Sequence, residues 1–467
     1  MDDAELRTRL ERLLADPALL RAHVGLMVQV AGSGRILFER NAEKRFTAAS
    51  TTKLVTGAVA LHRLGAAYRW HTRLLSSGPI LGDTLLGDLW VVGGGDPTIG
   101  PATLRRWAGA VKRAGIRRIA GRVIGDDRAF DPLPWGRGWM WDDLYASWSG
   151  GVSALELTPS VISAELEPGS RVGDAARFRV ADPGAIPPIA NRVRTGPPGS
   201  ERRLRFRPRP GQDSVRLEGW VPSDGGPVPL RLAPRHPTLH LLERLLSVFA
   251  DSDIIVQGGY LRVEEEEPPA QPAWSVDFTS DSLGVALRRM LKNSDNQIAE
   301  SLLRTLGREA GAVGSARAGL QAVEETLAGW GIEPGAASLA DGSGLSRYSA
   351  LSPNALNRLL RRMSQLPEFS VFRDALPVAA KDGTLVRRFL STAAARNVLA
   401  KTGSLAGVRA LAGYVTDGDG ESLVFSLLLN EYDAPGEVAA ALEDLLVEQL
   451  ALYHGPTYPQ AREHRWP

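Results

Sequence analysis

The chain has 467 residues, 43% of them hydrophobic and 23% charged, which suits a soluble protein with a large buried core and excludes a disordered one. A formal net charge of +2 gives no reason to expect a nucleic-acid or membrane-surface partner, and the lack of cysteine excludes disulfides, thiol catalysis and Cys-ligated metals. Seven scattered histidines without metalloprotease-like spacing argue against a histidine metal centre, so neither metal nor cofactor is expected.

The first segment, MDDAELRTRLERLLADPALL, predicts an amphipathic helix. It lacks the basic start, apolar centre and small-residue cleavage site of a secretory signal, and no stretch is long enough to cross a bilayer. HVGLMVQV and RILFER around AGSG predict a hairpin. STTKLVTGAVALHRLG predicts a helix with apolar spacing at Leu54, Ala58 and Leu61, closed by Gly65. From about residue 74 to 272 the composition turns to Gly, Pro, Arg and short β-like runs, with helical patterns in PATLRRWAGAVKRAG and PTLHLLERLLSVFAD. EEEEPPAQP at 264–272 predicts a solvated linker. Helical patterns return in SLGVALRRMLKNSDNQIAESLLRTLG and ARAGLQAVEETLAGWG. Two strands around a Gly/Asp turn and a closing helix, PGEVAAALEDLLVEQLALY, end the pattern. The expected architecture is an α/β (α+β) domain, an antiparallel sheet flanked by helices. It is formed by residues 1–73 and 273–467 and split by a β-rich insertion at 74–272.

Only six lysines stand against forty-nine arginines, and one of them forms the chain's single Ser-x-x-Lys, Ser50 to Lys53. A hydroxyl at a helix start with an amine one turn later can be deprotonated if the amine is held neutral by burial or neighbouring charge. Alone, the tetrapeptide reads more readily as a helix cap followed by a solvated lysine. KNSDNQIAE adds Ser294 and Asn296, which alternation across an extended turn would aim into one cleft. SPN at 352–354 has the same spacing, but Pro353 suits the first helical position and makes Ser352 an ordinary N-cap. AKTGS adds Lys401 and Thr402, able to hold an anionic group, and Gly403, which would let a substrate backbone approach. An edge strand with a Gly bulge reads this piece as well.

In the order SxxK, SxN, KTG, the three form the motif set of penicillin-binding proteins and serine β-lactamases. With GGGDPTIG, GRVIGDDRAFD, GWMWDD, VSALELTPS, DGSGLSR and KDGTL, the chain resembles the D-alanyl-D-alanine carboxypeptidases among the low-molecular-mass class C penicillin-binding proteins, peptidase family S13. The resemblance implies that Ser50 is a nucleophile forming an acyl-enzyme with D-Ala-D-Ala stem peptides of peptidoglycan, and that Lys53 is its base. Ser294 would relay a proton, Asn296 would hold the amide side, and Lys401 with Thr402 would grip the terminal carboxylate. Backbone N–H groups of Ser50 and Ser404 would form an oxyanion hole. It also implies acylation by β-lactams, an insertion of two subdomains, and a periplasmic or extracellular location. Arg347 and Asp142 are expected to clamp a zwitterionic stem side chain such as diaminopimelate, with Trp139 and Leu345 as apolar walls; Asp143 competes with Asp142. The Asp residues of GGGDP and GDDRAFD are expected in turns and caps rather than around a metal, and the basic run at 192–212 in solvated β-structure rather than on nucleic acid. The alternatives are a serine β-lactamase or esterase on the same scaffold, and a non-catalytic wall-binding protein.

Overall fold

The computed structural model describes residues 1–180, 186, 188–209, 214–311 and 313–455. Residues 210–212 of the basic run lie outside the described residues. The chain forms two units, Met1–Tyr68 with Gly136–Gly138 and Ser282–Pro467, and Arg69–Trp135 with Trp139–Asp281.

The elements of the first unit, in chain order, are α1 (Asp3–Leu14), β1 (His23–Val30), β2 (Ile36–Arg40), α2 (Thr52–Leu64), α3 (Leu283–Asn293), α4 (Asn296–Glu309), α5 (Ala316–Gly329), α6 (Pro353–Ser364), α7 (Phe369–Ala375), β3 (Leu399–Leu405), β4 (Val408–Thr416), β5 (Ser422–Asn430) and α8 (Gly436–Ala451). The strands form one sheet, β2–β1–β5–β4–β3, antiparallel throughout. Its central strand, SLVFSLLLN, is apolar on both faces because both faces are covered. On one face Leu6, Leu10 and Leu14 of α1 and Leu442, Leu446 and Leu450 of α8 pack on Val24, Leu26 and Val28 of β1 and Phe425 and Leu427 of β5. Each such side chain contributes about 1.5–3 kcal/mol by leaving water. On the other face α6 lies close to β1. Gly25 makes the room: a Cβ there would stand 2.8 Å from the Pro353 ring. Ser426 donates to the Pro353 carbonyl at 2.8 Å, and Ser352 caps α6 by accepting from the Ala355 amide, as its Pro-led sequence predicts.

Two expectations need correction. The stripe Leu54, Ala58, Leu61 predicts a one-faced helix, yet every residue of α2 from Thr52 to Leu61 is buried. Gly57 allows this, since a Cβ there would stand 2.7 Å from Leu287 of α3. A helix buried all round is a core helix, and it carries Lys53 inside with it. The extended turn expected at Ser294 and Asn296 is instead a sharp break at Ser294, where the backbone turns left-handed (φ 58°, ψ 39°), and the next helix starts with Asp295 accepting from the Ile298 amide.

The second unit holds a mixed five-stranded sheet in the order Tyr260–Arg262, Val123–Asp126, Leu89–Val92, Arg69–Ser76, Ser275–Ser282. Helix Pro101–Arg113 connects two parallel strands of it, and with helix Pro237–Asp251 it buries Trp107, Leu242 and Phe249 beside Leu74, Val91 and Val123. Asp96 accepts from the amide and hydroxyl of Thr98, and Asp127 from Thr238 and Arg262, so these aspartates serve turns and packing. Strands Ile189–Gly196 and Arg203–Pro208 carry the basic run, where Arg203 and Arg207 pair with Glu201 and Glu218. No helix among the described residues is long and apolar enough to cross a membrane.

Candidate active site

Ser50 sits in a 3-10 turn, Ala49–Thr51, that runs directly into α2. Ala49 holds a left-handed backbone (φ 46°), uncommon for a residue with a Cβ. Two glycines let other segments press on this turn. A Cβ on Gly344 (φ 78°) would overlap the Ala49 carbonyl oxygen, and one on Gly403 would stand 2.9 Å from the Ala48 carbonyl oxygen. Gly403 therefore makes room for the chain's own turn. The effect is to lay β3 alongside Ser50.

From the first turn of α2, the Lys53 Nζ donates to Ser50 Oγ at 2.9 Å, Asn296 Oδ1 at 2.6 Å and the Ser343 carbonyl at 2.7 Å. The side chain is fully buried. Burial lowers its pKa to about 8, against the opposing pull of Asp341, Asp295 and Glu300. Once neutral, the amine can keep two N–H bonds, to Asn296 and Ser343, and turn its lone pair on Ser50 Oγ.

The corner between α3 and α4 supplies the second group. It is a tight left-handed cap, not the extended turn expected, yet it still aims both polar side chains at lysines. Ser294 Oγ receives a hydrogen bond from Lys401 Nζ at 2.9 Å, while Asn296, first residue of α4, meets Lys53. Lys401, on β3, is fully buried and also donates to the Thr402 carbonyl at 2.7 Å. Burial, then the charge of Lys53, pushes its pKa well below the usual lysine value. Of the motif's polar side chains, Thr402 is half-buried and Ser404 exposed, while Lys401 is buried. Thr402 Oγ1 donates at 2.8 Å to Thr384 Oγ1, in the 3-10 turn Gly383–Leu385. Lys292 anchors that turn, pairing with both Asp382 oxygens at 2.7 Å.

The third wall is the loop 341–349. Strands Ala337–Ser338 and Ala350–Leu351 flank it, and the latter pairs with Phe46–Thr47, just before Ser50. Leu345 is buried in this loop, and exposed Arg347 donates to the Ala406 carbonyl at 2.9 Å, clipping the loop to the turn between β3 and β4. The first unit thus brings together Ser50, Lys53, Ser294, Asn296, Lys401, Thr402, Gly403 and Ser404. Trp139 and Asp142 belong to the second unit, Asp142 exposed in the 3-10 turn Trp141–Asp143, and the cluster of the first unit is built without them.

Three further residues of the cluster were not singled out from sequence: Glu300, Asp341 and Thr384. Glu300 stands four residues after Asn296 on α4, a spacing that puts both on one face. Asp341 and Thr384 lie within DGSGLSR and KDGTL, where neighbouring glycines suggest only turns.

The geometry agrees with what similarity shows. The family model of the D-Ala-D-Ala carboxypeptidase 3 (S13) family matches residues 6–449. The chain is 32% identical to a D-alanyl-D-alanine carboxypeptidase of Actinomadura sp. (strain R39), over 99% of this chain and 88% of that one. Penicillin-binding protein 4 (dacB) of Haemophilus influenzae superposes with a TM-score of 0.85 at 26% identity, over 95% of this chain and 99% of that one. A second structure of that protein, complexed with a β-lactam, gives a TM-score of 0.78 at 25% identity, over 95% and 97%. With a family match spanning nearly its whole length, the chain belongs to the D-Ala-D-Ala carboxypeptidase 3 (S13) family.

Proposed function

We propose that the protein is a serine-type D-Ala-D-Ala carboxypeptidase that cleaves peptidoglycan stem peptides through an acyl-enzyme on Ser50 and is acylated there by β-lactams. The observation that carries this reading is the 2.9 Å contact between Lys53 Nζ and Ser50 Oγ, made by an amine whose pKa lies near 8. Neutral Lys53 takes the Ser50 proton as Oγ attacks the carbonyl of the penultimate D-Ala. The resulting oxyanion is held by the amides of Ser50 and Ser404, each worth about 3 kcal/mol in the transition state. Collapse breaks the peptide bond, and the proton that Lys53 took from Ser50 is passed on through Ser294 to the leaving amine, so Lys53 is neutral again. Water then attacks the ester, with Lys53 again as base, releasing the shortened stem and free Ser50. The same acyl transfer serves a cross-link with D-Ala as acyl donor.

The terminal carboxylate rests on the hydroxyls of Thr402, Thr384 and Ser404. Its charge favours the protonated form of Lys401 behind them, opposing the effect of burial. Arg347, exposed on the loop, takes the free carboxylate of a zwitterionic stem side chain such as diaminopimelate. Work on peptidoglycan places the protein outside the cytoplasmic membrane, in the periplasm or beyond.

A β-lactamase would need a carboxylate able to activate the deacylating water. The three carboxylates that act on Lys53 are engaged elsewhere: Asp295 accepts from the Ile298 amide, Glu300 from the Gly342 and Ser343 amides, and Asp341 from Gly344, Ser346 and two serine hydroxyls. Mass spectrometry after mixing with benzylpenicillin is the test. A lasting adduct, absent in Ser50→Ala, is expected. Rapid release of penicilloate would instead make the protein a β-lactamase, and no adduct at all a wall-binding scaffold.

A further inference from the structure

Two buried carboxylates beside Lys53 have no part in the steps above, and their bonds lead to it. The Ser343–Gly344 peptide lies between Asp341 and the amine. Its N–H donates to Asp341 Oδ1 at 3.1 Å, and its carbonyl accepts from Lys53 Nζ at 2.7 Å. Asp341 also accepts from the Ser343 and Ser349 hydroxyls at 3.0 and 2.7 Å and the Ser346 amide at 2.8 Å, so the loop is wound around it. Glu300, from α4, receives the Gly342 and Ser343 amides on one oxygen, both at 2.9 Å, and Arg304 on the other at 3.4 Å. The Gly342 carbonyl accepts at 2.7 Å from Thr56, one turn beyond Lys53 on α2. Asp341, Glu300, Arg304 and Lys53 are all fully buried.

We infer that Asp341 and Glu300 are positioning residues that hold and polarise the 342–344 backbone, fixing the Lys53 amine on Ser50 and setting the pH at which it becomes a base. This rests on the reading of Lys53 as the base for Ser50. A carboxylate on the N–H side of a peptide strengthens its carbonyl as an acceptor, so the charge of Asp341 reaches Lys53 through one peptide unit. Glu300 acts one residue back and holds the loop between α4 and α2. The arrangement balances opposites: burial favours the neutral amine, and the carboxylates restrain it from losing its proton too readily. Burial and the charge of Asp341 raise the pKa of Glu300 to about 7, while Arg304 and the bond from Ser343 favour its ionised form. The charged and titratable groups acting on Lys53 or on this pair are Asp295, which caps α4, Glu300 and Arg304 from α4, Asp341 from the loop and Lys401 from β3.

The test is the rate of benzylpenicillin acylation from pH 5 to 10 for wild type and Glu300→Gln, with thermal melting to confirm folding. Gln keeps an acceptor for the two loop amides and removes the charge. Without the carboxylate the amine deprotonates at lower pH, so the acid limb of the rate profile is expected to move down by roughly 0.5–1 unit. Asp341→Asn is expected to move it in the same direction and carries the test if Glu300→Gln does not fold. A folded variant whose limb overlays the wild type's overturns the inference, even if its melting temperature falls, since a purely structural role changes stability and not the titration. Wild type that is never acylated is a different result: it removes Lys53 as the base for Ser50.

Discussion

Two clusters of buried charge occupy the first unit, and they differ in the cation. Behind the sheet, Glu443 of α8 is fully buried and pairs with Arg409 of β4 and with Arg388, each at 3.0 Å. Burial pushes that carboxyl's pKa up, and the two guanidiniums pull against it. Arginine does not give up its proton in a protein, so the cluster can only clamp α8 to the sheet. The cations in contact with Ser50 and Ser294 are lysines, more deeply buried still, and burial makes each of them readier to release a proton. Desolvation yields a fixed clamp in one place and a titrating base in the other. In a chain with forty-nine arginines and six lysines, the choice of lysine at 53 and 401 is where the chemistry is written.

Replacing the cation breaks the comparison most directly. Lys53→Arg keeps the charge but has no neutral form, and the acylation rate is expected to fall about 10²–10⁴-fold. Stopped-flow measurement with a chromogenic β-lactam reads it. A rate within tenfold of wild type would mean that Ser50 is activated by another group. The opposite change sharpens the contrast. Glu443→Gln leaves two half-buried guanidiniums without their shared anion, although Arg388 keeps Asp444, and a loss of about 1–3 kcal/mol is expected in urea unfolding. Acylation of the protein that remains folded should be unchanged, and a parallel loss of rate would show that the clamp and the site are coupled. The smallest effect is expected at the rim. Thr384→Val removes one hydroxyl from the pair with Thr402, worth about 1 kcal/mol, or about fivefold in KM for a D-Ala-D-Ala peptide. An unchanged KM would remove Thr384 from carboxylate binding.

Much of this was open to reading along the chain. Hairpins, helix caps such as Ser352, and the three motifs are local patterns, and local patterns survive as sequence. What escaped had its cause at long range. Leu54, Ala58 and Leu61 suggested one buried face for α2, because the residues that cover its other faces come from α3 and α4. Ser294 and Asn296 were assigned to one cleft, but for the wrong backbone: a left-handed cap redirects the chain within two residues. Nothing within AKTGS says that Lys401 is buried.

The sequence by itself determined the family and the order of the reacting side chains, since a hydroxyl and an amine at SxxK spacing lie on one helical turn wherever that turn ends up. Only the tertiary structure decided how reactive they are. Lys53 meets Asn296 across 243 residues of chain and Ser343 across 290, and its pKa depends on the burial and carboxylates found there. Proton affinity is set by the surroundings of a group in space, and no run of neighbouring residues encodes them.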